Sequence, residues 1–326
     1  MDDQKDAIAV ENLGGIIKKA HERIKKYVLH TPLIHSPYIS MKTDCNVYLK
    51  MESEQITGSF KARGAFHKIL SLGESNAEFV TASTGNHGMA FALACQTLQR
   101  KGTVFVPTNA STAKQDRMKL YGVAMQQYGS DCVDTEKRAR EFAAKTGSTY
   151  ISPYADVGVI AGQGTIGIEL LGDLPNLDVV FVTVGGGGLI SGIGAYLKTQ
   201  GKFEVIGCLP ANSPVMFESV KAGRIIEMES FDTLSDASAG GVEPGSPTFP
   251  LCQKVVDRWV TVSEQEISDA MYLMLCRHNK VVEGSAGVAV ASFLKLQDEY
   301  KGKNVAILIC GSNISMDTLK YVIKQH

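Results

Sequence analysis

The sequence has no CxxC pair, no excess of basic side chains and no uninterrupted apolar run of membrane-spanning length. Seven cysteines lie scattered at positions 45, 95, 132, 208, 252, 276 and 310. Disulfide frameworks and zinc sites need close, paired spacing, so a reducing compartment is expected. Lys and Arg number 33 against 34 Asp and Glu, a net charge of −1. A nucleic-acid face needs clustered Lys and Arg, so that class of partner is set aside and a small molecule is expected. The leading segment MDDQKDAIAVENL lacks the basic flank and apolar stretch of a signal peptide, which points to the cytoplasm.

One stretch imitates a membrane span. Between Asp178 and Lys198 the run VVFVTVGGGGLISGIGAYL carries no charge. Four glycines in mid-span make a poor helix interior, each costing about 0.8–1 kcal/mol relative to Ala. The run divides instead into strand (VVFVTV), turn (GGGG) and helix (LISGIGAYL).

A chain of 326 residues, 44% hydrophobic, suffices for about two domains with a substantial core. Strands are expected at 46–49, 79–82, 104–106, 125–128, 150–152, 179–184, 204–208 and 305–309. Helices are expected at 15–27, 62–72, 85–99, 112–121, 135–145, 162–171, 189–199, 265–278, 286–297 and 316–324. Helix alternating with strand at this spacing predicts α/β architecture with mostly parallel sheets flanked by helices. The stretch Ala237–Pro250 reads as an ordered loop, and composition marks no domain boundary.

Four segments at predicted strand-to-helix junctions carry chemistry, where parallel sheets collect ligands. In TGSFKARGA, Lys61 follows Phe60 near a helix start; burial there would disfavour the ammonium and leave a usable amine. A solvated surface lysine is the plainer alternative. In ASTGNHGMA, Ser83, Thr84 and the amides beyond Gly85 suit a carboxylate at a helix N-terminus. Asn86 adds an amide able to hold a phenolic oxygen. An ordinary Ser/Thr N-cap fits the same residues. The ring of His87, alone before an apolar helix, reads as structural. Gly185, Gly186, Gly187 and Gly188 would let backbone N–H groups approach a phosphate; neither a Walker loop nor GxGxxG is present. In ICGSNIS, Cys310 or Ser312 offers a neutral hydrogen bond to a ring nitrogen, or Cys310 is a small buried hydrophobe.

Taken together, these segments resemble the fold-type II pyridoxal 5′-phosphate (PLP) family of serine/threonine dehydratases and serine racemases. The likeness runs from HTPLIHSPYIS (His30–Ser40) through IAGQGTIGIEL (Ile160–Leu170) to CGSNIS, which looks especially like the mammalian-type serine dehydratase ending. It implies a two-domain fold like that of the tryptophan synthase β-subunit. Residues 1–76 and 155–326 would form a large PLP-binding domain, and 77–154 a small mobile one. It implies a homodimer, a Schiff-base lysine at Lys61 beside Phe60, and Asn86 on the phenolic oxygen. Gly185–Gly188 would hold the phosphate, and Cys310 would face the pyridine nitrogen. Ser83, Thr84, Asn86 and His87 would hold the substrate carboxylate, with Thr84 joining Lys61 in catalysis.

The sequence departs from the racemases in ways that matter. Leu209 and Val215 stand where those enzymes carry acids that help bind a divalent cation, so no metal is expected. Thr84 replaces a serine that acts on the second face of the ring. Asp236-Ala237 replaces Asp-Gly. The activity implied is β-elimination of water from L-serine or L-threonine to a 2-oxo acid and ammonia, with Lys61 as general base. A neutral partner for the pyridine nitrogen disfavours transamination. Racemisation of serine or aspartate, and dehydration of 3-hydroxyaspartate or phenylserine, are the alternatives on the same scaffold. A nicotinamide dehydrogenase lacks its glycine fingerprint here; a non-catalytic amino-acid sensor would keep its ligand without Lys61. The side-chain pocket is expected to draw on Tyr154, the Ala237–Gly241 loop and Glu283.

Overall fold

The computed structural model describes residues 9–73, 78–110, 112–130 and 132–326. The first eight residues of the leading segment and the expected junction at 76/77 lie outside them. Among the described residues, ten strands form two sheets: β1 (Leu33–His35), β2 (Asn46–Lys50), β3 (Phe79–Ala82), β4 (Gly102–Val106), β5 (Ala124–Gln127), β6 (Thr149–Tyr150), β7 (Val179–Thr183), β8 (Glu204–Pro210), β9 (Arg258–Val262) and β10 (Asn304–Leu308). The larger sheet has the order β1-β2-β10-β7-β8-β9, and the smaller β5-β4-β3-β6. Of these ten strands, β1 runs antiparallel to its neighbour and every other pairing is parallel. Strands such as VVFVT (β7) are buried at every position, as a parallel sheet covered on both faces requires.

The α-helices are α1 (Val10–Ile24), α2 (Pro37–Thr43), α3 (Lys61–Ser71), α4 (Asn86–Thr97), α5 (Thr112–Lys119), α6 (Cys132–Thr146), α7 (Val157–Asp173), α8 (Gly188–Gln200), α9 (Val215–Ala222), α10 (Thr248–Val255), α11 (Glu264–His278), α12 (Gly284–Leu296) and α13 (Met316–Gln325). Separate apolar cores serve the two sheets. One gathers Val180, Phe181, Ile206, Val290 and Ile307 around the larger sheet. The other gathers Phe66, Phe79, Phe91, Val104 and Met118 beside the smaller. No helix among the described residues is long and apolar enough to cross a membrane, and the uncharged run after Asp178 is β7, the glycine turn and α8.

Several elements escaped the sequence reading. β1 has three residues, and β9 is the short opposite edge. In α2, Ser36 accepts from Ile39 N–H and Pro37 opens the helix, a start signal hidden inside HSPYIS. The expected loop at 237–250 is a loop only as far as 247. Its last three residues begin α10, where Pro250 sits in the first turn and needs no N–H partner. α9 was also missed. α7 begins five residues earlier than its glycines suggested, because Asp156 caps it by accepting from Val159 N–H at 3.0 Å.

Those glycines have another use. A Cβ on Gly162 would lie 2.6 Å from the carbonyl oxygen of Arg63, and one on Gly192 would lie 2.3 Å from that of Ile160. α7 therefore packs backbone against backbone on α3 and on α8. These are the helices that begin at Lys61 and at Gly188.

Candidate active site

The C-terminal ends of β3, β7 and β10 face one cavity of about 700 Å³ between the two sheets. Phe60, Lys61, Ser83, Thr84, Asn86, His87, Gly185, Gly186, Gly187, Gly188 and Cys310 all line it. The structure thus brings every candidate residue from the four segments together, save Ser312. That hydroxyl donates to the Ser53 and Gly58 carbonyls at 3.1 and 3.4 Å and is absent from the cavity wall. Of the two neutral partners considered at this loop, only Cys310 is within reach.

Lys61 is the first residue of α3, and its exposed surface opens onto the cavity. Its Nζ donates to the Pro153 carbonyl at 2.9 Å and lies 5.1 Å from the centroid of the Phe60 ring. Burial lowers its pKa to about 8, against the opposing pull of Cys310 and Glu283. A neutral amine is therefore accessible near physiological pH. The surface-lysine alternative does not describe this residue.

The carboxylate candidates lie where β3 turns into α4. Gly85 is the N-cap of this helix, and no side chain caps it. Ser83 Oγ accepts instead from Gly85 N–H at 3.2 Å. The Ser/Thr N-cap alternative is therefore overturned, and the first amides of α4 keep no side-chain partner. His87 is buried, with Nε2 donating to the Ile151 carbonyl at 3.2 Å. That bond fixes the tautomer and leaves Nδ1 as an unpartnered acceptor. Burial, then Lys61, pushes the His87 pKa down to about 3. A neutral imidazole whose free nitrogen is an acceptor cannot hold a carboxylate, so only the backbone N–H of His87 suits that task.

The tetraglycine turn leads into α8, whose N-cap, Gly187, has φ +84 and no capping side chain. A Cβ on Gly186 would lie 2.5 Å from the Tyr154 ring, and one on Gly185 would lie 2.8 Å from the Ser238 carbonyl oxygen. The turn is thus a close-walled cradle with a helix N-terminus at its floor, the geometry a phosphate takes. Across the cavity, Cys310 is buried, and burial, then Glu283, raises its thiol pKa well above the usual range. It faces the cavity as a neutral group.

Tyr154, Ala237–Gly241 and Glu283, from which a side-chain pocket was expected, line the same cavity. Two features had no place in the sequence reading. Asn313 reaches the site from the loop after β10, its Nδ2 donating to Asn86 Oδ1 at 2.7 Å. Beneath α3 lies a buried ionic cluster. Arg63 binds Glu169 Oε1 at 2.6 Å and Glu52 Oε1 at 2.8 Å, and Lys50 binds Glu169 Oε2 at 2.7 Å. Arg63 was visible in GSFKARGA and Glu169 in IAGQGTIGIEL; the signal was a charge amid small and apolar neighbours. Among the described residues no group of three or more His, Cys, Asp or Glu could hold a metal. Leu209 and Val215 are buried apolar side chains.

Comparison with known proteins follows the same lines. The family model for pyridoxal-phosphate-dependent enzymes matches residues 24–311. The chain is 40% identical over 312 residues to an L-threonine ammonia-lyase of Thermotoga maritima, covering 95% of this chain and 77% of that one. The structure of a threonine deaminase isoform of Solanum lycopersicum superposes with a TM-score of 0.93 at 30% identity, over 97% of this chain and 89% of that one. A pyridoxal 5′-phosphate-dependent aspartate racemase superposes with a TM-score of 0.88 at 34% identity, over 94% and 97% of the two chains. The cavity suits such a cofactor: an amine of lowered basicity, a glycine cradle on a helix N-terminus and a neutral thiol all line it.

Proposed function

The chain belongs to the family of pyridoxal-phosphate-dependent enzymes, and on that premise we propose that it is an ammonia-lyase for L-threonine and L-serine. It would eliminate water from the hydroxy-amino acid, and hydrolysis of the released enamine, which takes water up again, would leave a 2-oxo acid and ammonia. The observation that carries this reading is the meeting, in one cavity, of the Lys61 amine with two helix N-termini that no side chain caps. Identity of 40% to a threonine ammonia-lyase supports it.

When bound, the cofactor supplies an electron sink for the carbon that bears the substrate's amino group. Lys61 would hold the cofactor between turnovers, with Phe60 beside the ring and the Gly185–Gly188 amides on the phosphate. The first backbone amides of α4, that of Asn86 included, together with Ser83 and Thr84, fix the substrate carboxylate against a positive helix end. Lys61, released as a neutral amine, takes the Cα proton, and its lowered pKa suits a general base working near neutrality. Cys310 offers the ring nitrogen a neutral group, which limits the sink and favours rapid loss of the β-hydroxyl.

The same reading takes residues 77–154 as the smaller, mobile unit over a larger one of 1–76 and 155–326, in a cytoplasmic homodimer. Two side-chain pairs would span the units: Arg117 with Asn313 Oδ1 at 2.7 Å, on the cavity wall, and Arg140 with Glu243 at 2.5 Å. The likeness to an aspartate racemase, with Thr84 on the cavity wall, favours racemisation as the second reading.

A panel of L-serine, L-threonine, L-aspartate, 3-hydroxyaspartate and phenylserine, assayed for 2-oxo acid and ammonia, tests the proposal. Turnover of threonine and serine is the expected result. D-serine or D-aspartate forming faster than 2-oxo acid, on chiral chromatography, would overturn it.

A further inference from the structure

Glu283, the residue before α12, places a carboxylate inside the cavity wall with 3% of its surface exposed. Three donors converge on its two oxygens. Asn86 Nδ2 lies 3.0 Å from both Oε1 and Oε2, Asn313 N–H donates to Oε2 at 3.2 Å, and the Cys310 thiol lies 4.0 Å from Oε1. The fit is close, since a Cβ on Gly311 would lie 2.6 Å from Oε1. A buried carboxylate so placed is an acceptor at every contact.

The consequence falls on Asn86. Its carbonyl oxygen is taken by Asn313 Nδ2 at 2.7 Å, and one of its N–H groups by Glu283. What remains free is a second N–H. Asn86 can therefore only donate toward a bound molecule, and a ring oxygen meeting it must be an acceptor. Glu283 also touches Cys310, the candidate partner of the ring nitrogen, so one side chain is tied to both residues.

We propose that Glu283 is a positioning residue, which fixes Asn86 as a hydrogen-bond donor to the cofactor's phenolic oxygen and couples that contact to the Cys310 thiol. The inference rests on the cofactor reading above. It assigns to Glu283 no contact with substrate.

The carboxylate also titrates in a useful range. Burial raises its pKa to about 7, opposed by the Asn86 hydrogen bond, assisted by Asp236 and opposed in turn by the Asn313 N–H and by Lys61. Lys61, Asp236 and Cys310 are the titratable groups that face it. Above that pH the carboxylate accepts all three donors. Below it, a proton on one oxygen competes with them, and Asn86 loses its fixed orientation.

The test compares wild type with Glu283→Gln and Glu283→Asp as purified holoenzymes. Gln replaces one acceptor oxygen by an NH2 group that must face the N–H of Asn86 or Asn313. Losing a hydrogen bond to a charged group is worth about a 10- to 100-fold fall in kcat. KM should change by less, because on this inference Glu283 acts through Asn86 and Cys310, on which its oxygens already rest. The visible absorbance of wild type should change form as pH crosses about 7. In Glu283→Gln that transition should vanish, and Glu283→Asp should restore part of it.

A Gln variant with wild-type spectrum, pH profile and kcat overturns the inference. So does a wild-type spectrum that is flat between pH 6 and 8, a measurement that needs no variant to fold (a window of about one unit on each side of the expected midpoint). Borohydride reduction and mass spectrometry run alongside. A pyridoxyl group on Lys61 confirms that Glu283 alone is being tested; its absence from wild type overturns both readings together.

Discussion

Lys61 and His87 hang their side chains on carbonyls two residues apart: Nζ donates to Pro153 and Nε2 to Ile151. The segment that joins β6 to α7 thereby holds the reactive amine and an imidazole from α4 on one short piece of backbone. Both side chains sit where charge is disfavoured, and both should show it when the cofactor-free protein is unfolded at different pH values.

For Lys61, the folded pKa of about 8 lies below the ordinary 10.5. A depressed lysine opposes folding fully below pH 8, and the opposition fades as pH rises to 10.5. Apoprotein with Lys61→Met should therefore be more stable than wild type at pH 7, with the gap closing toward pH 10.5, as read from guanidinium unfolding. The same variant should lack turnover. A gap that is constant with pH would contradict the burial of this amine.

His87 gives the acid counterpart. Its folded pKa of about 3 lies below 6.5, so its cost is absent above pH 6.5 and grows as pH falls toward 3. Substituting Gln, whose amide can still donate to Ile151, should flatten the acid slope of stability by up to one proton. Unfolding curves collected across that range decide the matter, and an unchanged slope would mean that His87 charges freely in the folded state.

Beneath the site, Glu169→Ala should be among the most disruptive single changes. It leaves Arg63 and Lys50 short of a partner where neither can reach water. Breaking a buried pair from one side costs about 3–5 kcal/mol. Denaturant titration should show a loss of that size, whereas removing the exposed Lys301–Asp298 pair should leave the curve nearly unchanged.

Gly186→Ala should weaken cofactor retention, because the new methyl meets the Tyr154 ring at 2.5 Å. Overpacking of this kind costs about 1–3 kcal/mol. Adding Tyr154→Ala should recover part of the loss, since the two residues are in contact and their effects should not add. Cofactor titration of the four apoproteins gives the coupling directly. Strict additivity would place the Tyr154 ring elsewhere when the cradle is filled.

What was legible in the chain depended on how local its cause was. The tetraglycine turn, the lysine at a helix start and the buried runs of β7 and β10 each announce themselves within a few residues, and the structure places them together. Two edge strands were lost because three to five residues carry little periodicity. The N-cap alternative at Ser83 failed because the hydroxyl turns to Gly85 N–H, a choice no spacing rule records. The ionic cluster was invisible for a plainer reason. Arg63 finds Glu52 11 residues before it and Glu169 106 residues after it, so its small neighbours hint at a buried charge but no local spacing names what satisfies it. Asn313 was passed over likewise, since its contact with Asn86 spans 227 residues.

The glycine seams on either side of α7 settle how far apart the two working ends of the cavity stand. Side chains can change rotamer and so alter a spacing; main chain laid directly on main chain cannot. The gap between the α3 start, where the amine is, and the α8 start, where the cradle is, is thus gauged by three helical backbones in register. A single methyl at Gly162 or Gly192 would act like a shim driven into that gauge, shifting the amine relative to the cradle while leaving every residue that lines the cavity unaltered.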